Sequence, residues 1–199
     1  VFLALGCGAQ TFGNYGVGNF YAPFLARVHE MPVGEIGTWL GLTTGFGGMI
    51  GTFLGGYLAD KLSRRNIRWY MWLPTYASLI TLVPSAVAFF AASTSAALTG
   101  YFFTALFTAI YLAPSIAVTH NLIDAHKRAL ASAILFLVLN LIGLGLGPLG
   151  IGFISDLLTP TYGALSLRYA FCSTFLTCLI AAALFYMASR HYPKELPGD

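Results

Sequence analysis

The chain of 199 residues is 57% hydrophobic and only 9% charged, with a mean hydropathy of +0.76. So few charges do not cover the surface of a soluble globule of this size, and an all-α integral membrane protein is expected. The net charge of +3 carries no interleaved basic and aromatic residues, which excludes a nucleic-acid-binding face.

Six apolar runs reach the roughly 20 residues that a bilayer core of about 30 Å requires. They are Leu3 to Leu25, Ile36 to Leu58, Trp69 to Ala91, Leu98 to Val118, Ala129 to Ile154 and Tyr169 to Met187. In the first, Gln10, Thr11, Asn14, Tyr15 and Asn19 recur at helical spacing, a face expected to meet water or solute. His29, Glu30 and Glu35 follow it and read as solvated loop charges. The second run carries Gly37, Gly41, Gly45, Gly47, Gly48, Gly51, Gly55 and Gly56. Spacing such as Gly47, Gly51, Gly55 permits close backbone approach between helices. The run ends in Gly55-Gly56-Tyr57-Leu58-Ala59-Asp60-Lys61-Leu62-Ser63-Arg64-Arg65, a Gly pair followed by an aspartate and a basic turn.

The third run has no glycine and opens with Trp69, Tyr70, Trp72 and Tyr76, which fit an interfacial aromatic belt. The fourth carries Tyr101, Thr104, Thr108, Tyr111, Ser115 and Thr119 at steps of three or four, a narrower polar stripe. Ser115, His120 and Asp124 are the nearest approach to a catalytic set. One His and one carboxylate make neither a triad nor a closed metal site, so no enzyme, cofactor or metal is expected. Arg128 opens the fifth run after Asp124, His126 and Lys127; Asn140 lies near its middle. Gly143, Gly145, Gly147, Gly150 and Gly152 follow, and Pro148 should add a bend. The sixth run lacks glycine. Cys7, Cys172 and Cys178 lie in apolar runs and read as small hydrophobes without a disulfide.

The polar stripes of the first and fourth runs are expected to line a cavity through Gln10, Asn14, Tyr15, Asn19, Thr104, Thr108, Tyr111 and Ser115, joined by Asn140. Their other reading is hydrogen bonding between helices, at about 1 kcal/mol or less per pair. The glycines likewise have two readings, an interface with a second bundle or packing within these helices. No ionisable residue lies deep in any run, so no proton or ion relay is expected within them.

Cations fix the orientation, because Lys and Arg are retained on the cytoplasmic side. One set of run ends holds Lys61, Arg64, Arg65, Arg68, Lys127, Arg128, Arg190 and Lys194; the other holds Arg27 and Arg168. Val1 and the tail from His191 to Asp199 are therefore expected in the cytoplasm. The sequence starts at Val1 with no Met, charged leader or cleavage site, and further residues are expected upstream.

The sequence repeats internally. An offset of 96 residues lays Gly47, Gly51, Gly56 and Asp60 on Gly143, Gly147, Gly152 and Asp156, and an offset of 91 lays Phe20-Tyr21-Ala22-Pro23 on Tyr111-Leu112-Ala113-Pro114. Three runs, repeated, give units of about residues 1–92 and 93–190 within a single bundle. Three is odd, so the second copy enters from the opposite side as an inverted repeat.

Gly56-Tyr-Leu-Ala-Asp60-Lys61-Leu-Ser63-Arg64-Arg65 resembles the signature loop G-x-L-A-D-R/K-x-G-R-R/K of the major facilitator superfamily, departing from it at Ser63. Arg128-Ala-Leu-Ala-Ser-Ala-Ile and Asn140-Leu-Ile-Gly-Leu-Gly-Leu-Gly-Pro148 resemble its eleventh helix, and the stretch Tyr15 to His29 is similar to the bacterial spinster-like group. The resemblance implies helices seven to twelve of a twelve-helix carrier in the inner (plasma) membrane. It also implies an N-terminal six-helix half as partner, alternating access, proton coupling and a small or lipid-like solute. Spinster-like proteins are linked to lysolipid and sphingolipid export. By the same resemblance Gly56, Asp60, Lys61, Arg64, Arg65 and Arg128 form a conformational latch, with Asp60 alternatively a local partner of Arg64. Gly47, Gly51, Gly55, Gly143, Gly147 and Pro148 would pack against the other half. The competing reading is a non-transporting membrane module or a scramblase-like lipid groove.

Overall fold

Each apolar run becomes one helix or a broken pair of helices in the computed structural model, which describes residues 1–195 and is all-α. The predicted tail runs beyond this, and residues 196–199 lie outside the described residues. Helices α1 (Phe2–Val28), α2 (Val33–Ser63) and α3 (Trp69–Phe90) are continuous. At 1.5 Å per residue, the 31 residues of α2 reach roughly 46 Å, past the hydrocarbon core on at least one side.

The fourth and fifth runs break where proline removes a backbone donor. Pro114 offers no N–H to the Ile110 carbonyl, and the fourth run divides there into α4 (Thr94–Ala109) and α5 (Leu112–Asn121). In the fifth, Pro148 leaves the Leu144 carbonyl without its usual donor. The ladder widens into a π turn over Leu141–Leu146, between α6 (Arg128–Asn140) and α7 (Gly147–Tyr162). The last run is the short α8 (Ser166–Phe171) followed by α9 (Ser173–Glu195). By length and composition, Trp69–Phe90, Thr94–Asn121 and Ala125–Pro193 are long and apolar enough to cross a membrane. Glycine and amide residues dilute α1 and α2 below that measure.

The packing is reciprocal between the two parts of the sequence. α3 lies against α4 and α9, and α1 lies against α9; α2 runs along α4, while α6, the π turn and α7 run along α1. Tyr21 knits three helices together. Its ring stacks on Tyr101 at 3.8 Å between centroids. Its hydroxyl lies 3.0 Å from the Ala88 carbonyl and 3.1 Å from that of Ala97. The first of these belongs to the last turn of α3, where no helical N–H remains to satisfy it.

Glycine decides how close the helices come. Gly47, Gly51 and Gly55 face the carbonyls of Phe102, Leu106 and Ile110, both series stepping by four. A Cβ at Gly47 would stand 2.8 Å from the Phe102 oxygen, and one at Gly51 or Gly55 would collide with the next two carbonyls. On the other side, a Cβ at Gly143 would lie 2.7 Å from Thr11 Cβ, and one at Gly147 would lie 2.6 Å from the Phe12 carbonyl. These five glycines are buried within the chain. They therefore pack its own helices together, where the sequence expectation gave them to a second half. Pro148 beside them is half-buried and ends the π turn. The outward glycines of α2 are Gly34, Gly37, Gly41, Gly45 and Gly48, whose added Cβ would meet nothing within 4 Å.

Candidate functional site

The nine residues expected to line a cavity separate into two groups. Asn14 and Asn19 of α1 and Asn140 of α6 are exposed, and Tyr15 is half-buried. The Thr11 hydroxyl lies 3.2 Å from the Leu139 carbonyl, which holds α1 against α6 and sets these residues along one open polar face. Asn19 donates to the Tyr15 carbonyl at 2.8 Å and Asn140 to the Phe136 carbonyl at 2.7 Å, so each keeps a free amide oxygen. Asn14 makes no side-chain hydrogen bond among the described residues.

Gln10, Thr104, Thr108, Tyr111 and Ser115 instead turn inward. Gln10 meets Ser78 of α3 at 2.9 Å. Thr104 meets Ser85 of α3 at 3.2 Å, and Thr108 donates to the Thr104 carbonyl at 2.7 Å. Tyr111 packs beside Phe185 of α9, and Ser115, fully buried, accepts from the Cys7 thiol at 3.2 Å. A polar residue at helical spacing marks a face but not its neighbour. Gln10 and Thr104 bond to α3 and Thr108 bonds to its own helix, yet these three also line a small cavity with Asn14, while Tyr111 and Ser115 pack against neighbouring helices.

Sequence reasoning missed the partners on α3. Thr75, Ser78, Thr81 and Ser85 are all buried, and each of the first three donates to the carbonyl four residues earlier. Their spacing of three, three and four was the available signal, hidden by the strongly apolar run around them.

At the basic end, the Asp60 carboxylate accepts from the Tyr70 hydroxyl at 3.0 Å, a contact that ties the end of α2 to the start of α3. Gly56 is half-buried with Ala113 in ordinary contact range, and Lys61 lies over the Tyr57 ring at 5.6 Å. Arg64 and Arg65 are exposed. Arg128 donates through Nε toward the His120 carbonyl at 3.1 Å, closing the turn between α5 and α6. Asp60, Lys61, Arg64 and Arg65 therefore sit on one exposed turn, and Arg128 on another.

At the opposite end, a groove of about 980 Å³ lies between α2 and α4, with Trp39, Phe46, Ile50 and Phe102 among its walls and Glu30 and Glu35 beside them. His29 sits at its edge. Its Nε2 is buried without a partner, as is Arg168 Nε. Burial, and then the positive charge of Arg168, hold the His29 imidazole below its ordinary pKa.

Comparison with known proteins agrees with this architecture. The family model of the Major Facilitator Superfamily matches residues 3–199. An MFS-type efflux pump of Mycolicibacterium smegmatis is 36% identical over 187 residues, covering 92% of this chain and 43% of the pump. Among solved structures, a bacterial homologue of the human lysosomal transporter Spinster, inward-facing and unoccupied, superposes with a TM-score of 0.91 at 28% identity. That match covers 99% of this chain and 48% of the homologue. The inward-facing, occupied structure gives 0.84 at 27% identity, covering 99% and 50%. The POT family transporter PepTSo shares the fold, at a TM-score of 0.64 and 20% identity over 100% of this chain and 39% of its own. The chain thus spans about half the length of the relatives it matches.

Proposed function

The chain belongs to the Major Facilitator Superfamily, and from that premise we propose that it is one half of a secondary carrier moving a small or amphipathic solute by alternating access. The observation that carries this reading is the open polar face of Asn14, Tyr15, Asn19 and Asn140. Exposed amides on a bundle otherwise coated with leucine and phenylalanine belong where water or solute reaches them. The two inverted units of about 1–92 and 93–190 agree with the reciprocal packing of α2 on α4 and of α6–α7 on α1.

The partner in this reading is an N-terminal six-helix half that covers the polar face, with the outward glycines of α2 as further contact. Proton coupling would then rest on that half, since this one buries no carboxylate among the described residues of its spans. The eight cations at one end support a reading in which that end faces the cytoplasm and the protein sits in the inner (plasma) membrane. The name of the Mycolicibacterium smegmatis relative favours export.

Flux of lysolipids, cationic drugs and sugars into proteoliposomes of the full-length protein tests the proposal. Transport of at least one class that falls severalfold in Asn14→Ala and Asn140→Ala supports it. A rate untouched by both substitutions contradicts it.

A further inference from the structure

A small cavity of about 30 Å³ opens beside Asn14 on the seam between α1 and α4, backed by α3 and α9. Its volume suits one water or one group of that size. The polar groups that line it fall into two classes when their hydrogen bonds are counted. Thr81, Thr104, Thr108 and Thr174 each spend their single hydroxyl proton on a carbonyl of their own helix. Ser85 then donates to Thr104, whose proton is already committed. These five turn only acceptor lone pairs toward the space.

Three lining groups keep a donor with no partner among the described residues: the Gln10 amide, whose nitrogen carries two protons, the Asn14 carboxamide and the Tyr101 hydroxyl. Gln10 and Tyr101 are 3% and 5% exposed, so bulk water reaches little of either. The Tyr101 ring is held by stacking on Tyr21. The cavity therefore presents both unspent donors and acceptors.

From this geometry we propose a polar subsite, formed by Gln10, Asn14 and Tyr101, that takes a single uncharged hydroxyl group of the transported solute in place of a water. The inference rests on the carrier reading above and specifies its solute class: an amphiphile bearing a neutral alcohol. A hydroxyl both donates and accepts, so it matches both kinds of lining group. An ammonium cannot accept from the unspent donors. A carboxylate or phosphate is too large for the space and meets no cation there, since the lining holds none.

The test compares binding of oleyl alcohol, oleylamine, oleic acid and octadecene to the purified full-length protein in nanodiscs, for the wild type and for Tyr101→Phe and Gln10→Leu. Tyr101→Phe keeps the stacked ring and removes only the hydroxyl. The subsite predicts that the alcohol binds tightest of the four, and that Tyr101→Phe weakens it by about 3- to 10-fold while octadecene is unchanged. Gln10→Leu should act in the same direction. An alcohol no tighter than octadecene, or an alcohol preference intact in both variants, overturns the subsite and leaves the cavity to water. Because binding and not flux is read, a protein that fails to transport still gives a decisive answer here.

Discussion

Gly51 of α2 lies so close against the Leu106 carbonyl of α4 that no side chain fits between them. The neighbouring pairs Gly47 with Phe102 and Gly55 with Ile110 continue the contact along both helices, and such approaches favour weak Cα–H···O bonds. Gly51→Ala must push the helices apart, at about 1–3 kcal/mol or more. Gly45→Ala, where an added Cβ meets nothing within 4 Å, should leave thermal stability in detergent unchanged. Equal melting temperatures for the two variants would refute this contact.

Tyr21→Phe should destabilise the fold by about 1–3 kcal/mol, because it leaves the last-turn Ala88 carbonyl of α3 unpaired in an apolar core. The ring stack on Tyr101 survives the change, so the loss reads the hydroxyl alone. Chemical or thermal unfolding in detergent measures it.

Asp60→Ala and Tyr70→Phe remove opposite sides of one 3.0 Å contact. Each should alter transport rate severalfold with little change in solute affinity, since the contact lies at the basic end, away from the polar face. The double variant should match the worse single variant, and additive effects would show that Asp60 acts through a different partner.

His29 makes stability depend on pH in a defined direction. Its folded pKa is lowered, so the unfolded chain binds the proton more readily than the native one. The native state is then fully stable above the unfolded value of about 6.5 and loses stability as pH falls below it. His29→Gln should flatten the melting temperature between about pH 7 and pH 5. An unchanged slope would contradict this assignment to His29.

The sequence made the helices legible because each apolar run is long and most are bounded by charge. The bend expected at Pro148 is the end of the π turn, whereas Ala22-Pro23 leaves α1 continuous and the matching Ala113-Pro114 interrupts the fourth run. The direction of each polar face was not legible. Gly47 and Gly48 are consecutive, yet one meets a carbonyl and the other open space, because a helix turns about 100° per residue. Thr104 and Asn14 read alike as cavity residues. Both line the small cavity between α1 and α4, and only packing shows that Thr104 bonds to Ser85 while Asn14 stays exposed and unbonded.

The open polar face is the centre of this account, and cysteine accessibility tests it most directly. With Cys7, Cys172 and Cys178 replaced by serine or alanine, single cysteines at Asn14, Asn19 and Asn140 would be treated with a membrane-impermeant maleimide in native membranes. Val83 of α3 and Leu176 of α9, both exposed on the apolar outside, serve as lipid-facing controls. Rapid labelling at 14, 19 and 140, slowed by bound solute, with 83 and 176 unlabelled, is the predicted result. Labelling at 14 and 140 no faster than at 83 would mean that the polar face never meets water, and would contradict the account.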